Sequence, residues 1–258
     1  MDFRIAIIGT GNVAWHLAPA LESAGHTLTE VYSRDLHRAS KITGRLYATE
    51  SKDDLDFSES EAEIFIIAVT DHAIPDIADS IILPEGSILV HTSGSVPLQA
   101  LAYSSASHTG IFYPLQSFSK SRDISFEDVA ILLESDEPAV LQKLKLLAKS
   151  ISPHQYVVKS KDRLALHIAA VFASNFTNHL IRVSEEIMNR QGLDFEMLKP
   201  LIIEQINKSL EIGAKGAQTG PALRGDISTL DRHFDFLSYN EQVAEIYKLI
   251  SQDIIDSN

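Results

Sequence analysis

The sequence predicts an α/β N-terminal domain, built on a doubly wound and mostly parallel sheet, followed by an all-α C-terminal domain. The change of character falls at 158/159, giving domains 1–158 and 159–258. Three observations carry this. Short apolar runs rich in β-branched residues alternate with helical patterns up to 155–158, as expected of strands buried on both faces and joined by helices. Beyond Lys159 no strand pattern recurs and long helical periodicities take over. The first strand meets the first helix through a glycine turn, Gly9-Thr10-Gly11-Asn12-Val13-Ala14.

Residues 3–8 form a nearly unbroken apolar run, and 15–21 have helical spacing. The G-x-G-x-x-A between them has the form of a dinucleotide site. Gly9 permits the tight turn, Gly11 lets the backbone approach a pyrophosphate, and Ala14 lets helix and strand close up. Thr10, Asn12 and Val13 complete the loop, whose N–H groups and helix dipole would face the phosphates; an empty structural turn is the alternative. The second strand, 28–33, ends in Ser33-Arg34, with Arg38 one helical turn on. A hydroxyl and two guanidinium groups suit a 2′-phosphate, so NADP is expected over NAD. Asp35, an acid of the kind that accepts from free ribose hydroxyls, lies just beyond the usual place for one.

A short helix is expected at 37–43 and a short strand at 46–48. The acidic stretch 51–63 reads as a solvated helix or loop, not a metal site. Strand 64–69 ends in Val69-Thr70-Asp71-His72 before a helix to about residue 80, and strand 87–91 ends in His91-Thr92-Ser93-Gly94. Both polar loops leave the carboxyl ends of parallel strands, where open α/β sheets bind ligands. Val69, Thr70, His72, His91, Thr92 and Ser93 are therefore candidates for cofactor or substrate contact, and the hydroxyls are equally suited to capping. Strands at 110–113 and 129–133, a Pro-initiated amphipathic helix at 138–150 and a strand at 155–158 close the sheet domain.

A net charge of −13 argues against binding nucleic acid or anionic membrane through a general basic surface, and disfavours a nucleic-acid regulator. The absence of cysteine excludes disulfides, thiolate catalysis and cysteine-ligated metals. The N-terminal apolar segment serves better as a strand than as a signal peptide, and no apolar run approaches membrane-spanning length. A soluble cytoplasmic protein is the expectation.

In the helical half, 162–190 reads as one long helix, with two more at 199–213 and 238–251. At 100° per residue, His167, Ser174, Asn175, Asn178 and Arg182 fall on one side and Ile168, Phe172, Phe176, Leu180, Val183 and Ile187 on the other. The first half of the polar stripe carries no Lys or Glu, which suits a cleft that orients a ligand better than a freely solvated face. In the loop 216–226, Arg224 could clamp a carboxylate or phosphate; Asp226 could cap the next helix, or the two could pair. Long amphipathic helices in so small a domain also point to a homodimer through the C-terminal helices.

With these residues in place the chain resembles the superfamily of two-domain proteins with an N-terminal NADP-binding Rossmann domain and a helical C-terminal domain. That superfamily includes pyrroline-5-carboxylate reductase, 6-phosphogluconate and hydroxyisobutyrate dehydrogenases, ketopantoate reductase and coenzyme F420-dependent NADP reductase. More closely, the chain is similar to a bacterial branch carrying the domain DUF2520. The resemblance rests on Ile7 to Ala14, on His91-Thr92-Ser93-Gly94-Ser95, on Tyr113-Pro114-Leu115-Gln116-Ser117-Phe118, on Ala169 to Phe176, and on Thr219 to Asp226. Tyr113 stands where the branch commonly carries His. Dehydrogenases of the hydroxyisobutyrate type place a Lys four residues before an Asn on the first long helix of the second domain. Here Asn175 matches the Asn, but Val171 stands in place of the Lys.

The resemblance implies an NADP-dependent oxidoreductase that moves a hydride to or from a small polar, anionic substrate in the cleft between domains. His167, one turn before Val171 and on the same side, is the titratable group placed to replace the missing Lys, since imidazole exchanges protons near neutrality. Asn175 would assist it, and Ser174, Asn178 and Arg224 would hold the substrate. Hydride transfer needs no metal. A non-catalytic NADP-binding sensor or scaffold is the second reading, and Val171 favours it.

Overall fold

The computed structural model describes residues 2–257. By their contacts these form two compact units, divided at Ser174/Asn175. The secondary structure changes character at 158/159, but the first turns of the long helix belong with the sheet.

In the first unit, β1 (Arg4–Ile8), β4 (Ile64–Ile67) and β5 (Ile88–His91) are buried along almost their whole length. This is why they read as continuous apolar runs. With β2 (Thr27–Tyr32), β3 (Glu50–Lys52), β6 (His108–Leu115), β7 (Ala130–Glu134) and β8 (Gln155–Val157) they form a sheet of order β3-β2-β1-β4-β5-β6-β7-β8. All neighbours are parallel except β6 and β7. Strand alternation divides β1 between two cores. Ile5 and Ile7 pack with α1 (Asn12–Ser23) and α4 (Pro138–Ile151), alongside Ile42 of α2 (Leu36–Thr43). Ala6 and Ile8 face the other layer, with Ile74 and Ala78 of α3 (Ile74–Ser80).

The strand expected at 46–48 lies instead at Glu50–Lys52. The Arg45 and Leu46 amides bond back to the end of α2, and Ala48 takes φ 55°, so the chain is still turning there. Glu50–Lys52 also puts a short edge strand at the start of the stretch expected to be loop or helix.

Helix α5 (Ser160–Ala170) continues through a π-helical turn, Val171–Phe176, into α6 (Thr177–Arg190). Contrary to the expectation from sequence, this 31-residue stretch is long enough to span a bilayer and contains an 18-residue window apolar enough to do so by composition, with a mean hydropathy of 1.2. Its buried Arg163, however, is bonded into a folded sheet domain. The second unit continues with α7 (Lys199–Ile212), α8 (Ala214–Ala217), α9 (Ile227–Phe236) and α10 (Glu241–Asp256). Its small core joins Val183, Leu237, Val243 and Ala244. The helix α9 is absent from the sequence expectation. Asp226 starts it, accepting from the Thr229 amide at 3.2 Å. The last helix begins at Glu241, not 238, because Asn240 caps it by accepting from the Val243 amide.

Candidate functional site

The order of strands reverses between β1 and β4, and ligands of open α/β sheets bind in the crevice at such a switch. Gly9 lies there with φ +120°, and a Cβ on it would sit 2.4 Å from the Ala68 carbonyl oxygen. Gly11 answers to a different constraint. Its φ is −72°, and a Cβ would meet only the Ala68 oxygen, at an ordinary 3.7 Å. The fold would accept a side chain at 11, which would obstruct only the space before α1. That space suits an anion: no side chain caps α1 and its first turn has no acidic residue, so its N–H groups and dipole face outward. Buried Ala14 packs helix on sheet. Val13 is half-buried against the same core, Thr10 is half-buried in the turn, and Asn12 is exposed. These residues fit a pyrophosphate.

At the end of β2, Ser33 is buried and its Oγ accepts from the Asp35 amide at 3.3 Å. The Asp35 carboxylate caps α2, accepting from the His37 amide at 3.0 Å, and pairs with Arg38 at 3.5 Å. The acid that could accept from ribose hydroxyls is thus held by its own helix. Arg34 and Arg38 remain exposed. Val69 packs beside Gly9, and Thr70 is exposed at the carboxyl end of β4.

The turn after β5 engages the side chains of three candidates. The His91 ring is fully buried, and its Nδ1 accepts from the Ser93 amide at 3.1 Å. Burial, then the positive charge of Arg163, lowers its pKa from 6.5 to about 4. A neutral, enclosed imidazole shapes the turn and does not face a ligand. The Thr92 hydroxyl donates to the Ile67 carbonyl at 3.2 Å, and Ser93 Oγ accepts from the Ser95 and Val96 amides. The hydroxyls serve the turn, as helix caps and ST-turns do. His72 is exposed, 3.5 Å from the Thr70 hydroxyl.

That turn seats His167. A Cβ on Gly94 would lie 2.5 Å from His167 Nδ1 and 2.8 Å from Tyr113 Cζ, so both rings rest directly on the glycine. The Tyr113 hydroxyl is 3.0 Å from His167 Nδ1. Burial, then the negative charge of Asp71, raises the Tyr113 pKa, so the phenol keeps its proton. Its hydroxyl serves Nδ1 as donor or as acceptor according to the imidazole tautomer, and Nε2 lies outside this bond. Asp71 itself accepts from the Ser95 hydroxyl.

Arg163, one turn before His167, holds this arrangement. Its buried guanidinium donates to the carbonyls of Ser93, Gly94 and Val96 at 2.8–2.9 Å and pairs with Glu134 at 3.3 Å. Sequence reasoning missed Arg163, Gly94 and the role of Tyr113. The partners named here lie 19 to 73 residues away, so no local pattern marks them. The single polar stripe needs correction too. Val171–Phe176 is π-helical, and the 100° spacing that aligned His167 with Asn175 does not hold across a π-turn. Nor is the opposite side buried: Ile168, Phe172 and Phe176 are each about half exposed or more. Ser174 is half-buried in the first unit.

In the second unit, Asn175 and Asn178 are exposed and their side-chain amides make no hydrogen bonds among the described residues. Arg224 is exposed and makes no ion pair among the described residues, because Asp226 is held as the cap of α9.

Residues 4–94 match the family described as NADP oxidoreductase, coenzyme F420-dependent, and residues 129–254 match the domain of unknown function DUF2520. A Bacteroides fragilis protein provisionally described as an NADP oxidoreductase is 34% identical, with 99% of this chain and 98% of that one covered and a TM-score of 0.91. The chain belongs to this DUF2520-bearing, NADP oxidoreductase-like family. The fold reaches further. A Thermotoga maritima protein matches at 24% identity and TM-score 0.76, with 98% of this chain and 99% of that one covered. An Aspergillus terreus reductive aminase, solved with NADPH and ethyl-5-oxohexanoate, matches at 12% and 0.69, with 100% and 95% covered. None of the curated proteins matches this DUF2520-family chain.

Proposed function

We propose that this protein is an NADP-dependent oxidoreductase acting on a small polar, anionic substrate. The observation that carries the reading is the seating of His167 and Tyr113 on Gly94, beyond the end of β5 in the same sheet whose switch point holds the open glycine turn. NADP(H), when bound, supplies or accepts the hydride. Gly9 to Val13 would hold its pyrophosphate, Ser33, Arg34 and Arg38 its 2′-phosphate, and Val69 and Thr70 the neighbouring edge. His167 Nε2 would remove the substrate proton while Nδ1–H donates to the Tyr113 hydroxyl and so fixes the ring, and in the reverse direction the imidazolium would return a proton from Nε2. Arg224 and the amides of Asn175 and Asn178, which have no partner among the described residues, match an anionic substrate with further polar groups.

The test pairs two measurements: NADPH consumption across keto acids, imines and F420, and direct NADPH binding. His167→Ala is expected to abolish turnover and leave NADPH affinity unchanged; unaltered turnover would remove His167 from the mechanism. Val171 in place of a Lys favours a second reading, a non-catalytic NADP-binding sensor, which binding without turnover on any substrate would support. The protein is further proposed to be a homodimer, since its helical unit leaves Met197, Leu201, Ile203, Leu210 and Leu249 each at least 60% exposed.

A further inference from the structure

After β6 the chain does not leave the sheet edge; residues 116–121 run past the start of α1. Asn12 Nδ2 donates to the Phe118 carbonyl at 3.0 Å, and His16 Nε2 lies 2.9 Å from the Ser119 carbonyl. The Phe118 ring stacks on His16 at 5.5 Å. These contacts bring Lys120, more than a hundred residues distant in sequence, to the glycine turn. Its ammonium donates to the Thr10 carbonyl at 2.8 Å and lies 5.1 Å from the Trp15 ring centroid.

An ammonium has three donors, and this one uses a single N–H on a carbonyl that leaves its charge intact. No carboxylate pairs with Lys120 or Lys41 among the described residues, and Arg38 shares Asp35. Arg45, four residues beyond Lys41, packs on the same Trp15 ring at 4.1 Å, which sets the end of α2 beside Lys120; burial, then the positive charges of Lys41 and Arg38, accordingly lowers the Lys120 pKa. In a chain of net charge −13, a group of cations left largely uncompensated beside an uncapped helix start calls for an anion of more than one charge. The diphosphate of a dinucleotide needs only the helix N–H groups. The extra cations fit an extra phosphate.

We propose that Lys120, with Arg38 and Lys41, binds the 2′-phosphate and makes the site specific for NADP(H) over NAD(H). This rests on the dinucleotide reading above and assigns the selectivity largely to a residue far from the end of β2. Trp15 is the only tryptophan of the chain, so its fluorescence reports on this spot.

The experiment titrates NADPH and NADH into the full-length protein, following Trp15 emission with calorimetry as a second measure, for wild type, Lys120→Met and Lys120→Arg. Thermal melts establish that each variant is folded. Lys120→Met is expected to lose about tenfold to a hundredfold in NADPH affinity, the effect of removing one charge-assisted hydrogen bond. NADH affinity should hold within about twofold, and Lys120→Arg should retain most NADPH binding. Salt should weaken NADPH binding more in wild type than in Lys120→Met. Equal losses for both dinucleotides would place Lys120 at the shared diphosphate and overturn the proposal, as would unchanged NADPH affinity. Wild-type protein that binds neither dinucleotide overturns the dinucleotide reading itself, a result distinct from both.

Discussion

Two imidazoles in this chain do opposite things because of where their Nδ1 atoms point. His91 accepts from a backbone amide inside the sheet, and its pKa falls from 6.5 to about 4. Between those values the unfolded chain takes up a proton that the native state refuses, so stability is complete above pH 6.5 and declines as the pH falls toward 4. The loss amounts to about 3 kcal/mol at most. His26, whose pKa burial also lowers, adds to the same trend. Melting temperatures across this interval should fall with acid, and His91→Asn should flatten the slope; an unchanged slope would contradict the burial argument. His167 instead shares its Nδ1 with a phenol. Tyr113→Phe keeps the ring that rests on Gly94 and deletes the bond. Nitrogen NMR of labelled His167 should then show a changed tautomer balance while NADPH affinity stays level. With a substrate in hand, turnover should drop by about tenfold or more.

At the scale of elements, α5 is fastened to the turn after β5 by one buried guanidinium. Arg163→Ala would leave Glu134, only 13% exposed, without its cationic partner and with only Ser160 donating to it, along with three carbonyls lacking their Arg163 donor. Losing one member of a buried pair costs about 3–5 kcal/mol, read as a lowered melting temperature. The double variant with Glu134→Ala should recover part of it, and additive losses would refute the coupling. Elements of this kind explain what was legible in the sequence. Central strands, Gly9, Gly11 and Ala14 declare themselves because their constraints are local: burial on both faces, a positive φ, a helix start. The seat of His167 does not, because Gly94, Tyr113, Glu134 and Arg163 meet only after the sheet has assembled. The π-turn escaped for a related reason, as no residue type marks it, and the stripe drawn at 100° ran straight through it. The loop of 46–48 misled through β-compatible residues whose backbone was bonded to the preceding helix.

For the whole molecule, the family and fold were readable from five short motifs, while the substrate was not. The groups proposed to recognise it are few: Arg224, in the turn before α9, and the amides of Asn175 and Asn178 on the long helix, and no local pattern marks any of them as a substrate contact. The same packing argument bears on assembly. Leu210 is 82% exposed and Leu249 and Met197 67%, a poor arrangement for a monomer in water. Light scattering on a size-exclusion column should give twice the chain mass of 28.5 kDa; a monomer at micromolar concentration would refute the dimer. Changing Leu210 and Leu249 to Lys should shift the equilibrium toward single chains without loss of helix content.

The two glycines of the first turn have unequal freedom to vary. A descendant of this chain that abandoned nucleotides would be held to Gly9 by its own backbone, yet nothing in the architecture would forbid Ala at 11, where a methyl has 3.7 Å of room and would stiffen the unfolded chain. A relative carrying Ala in that second place, with the first glycine intact, would therefore record a change of trade and not a change of shape.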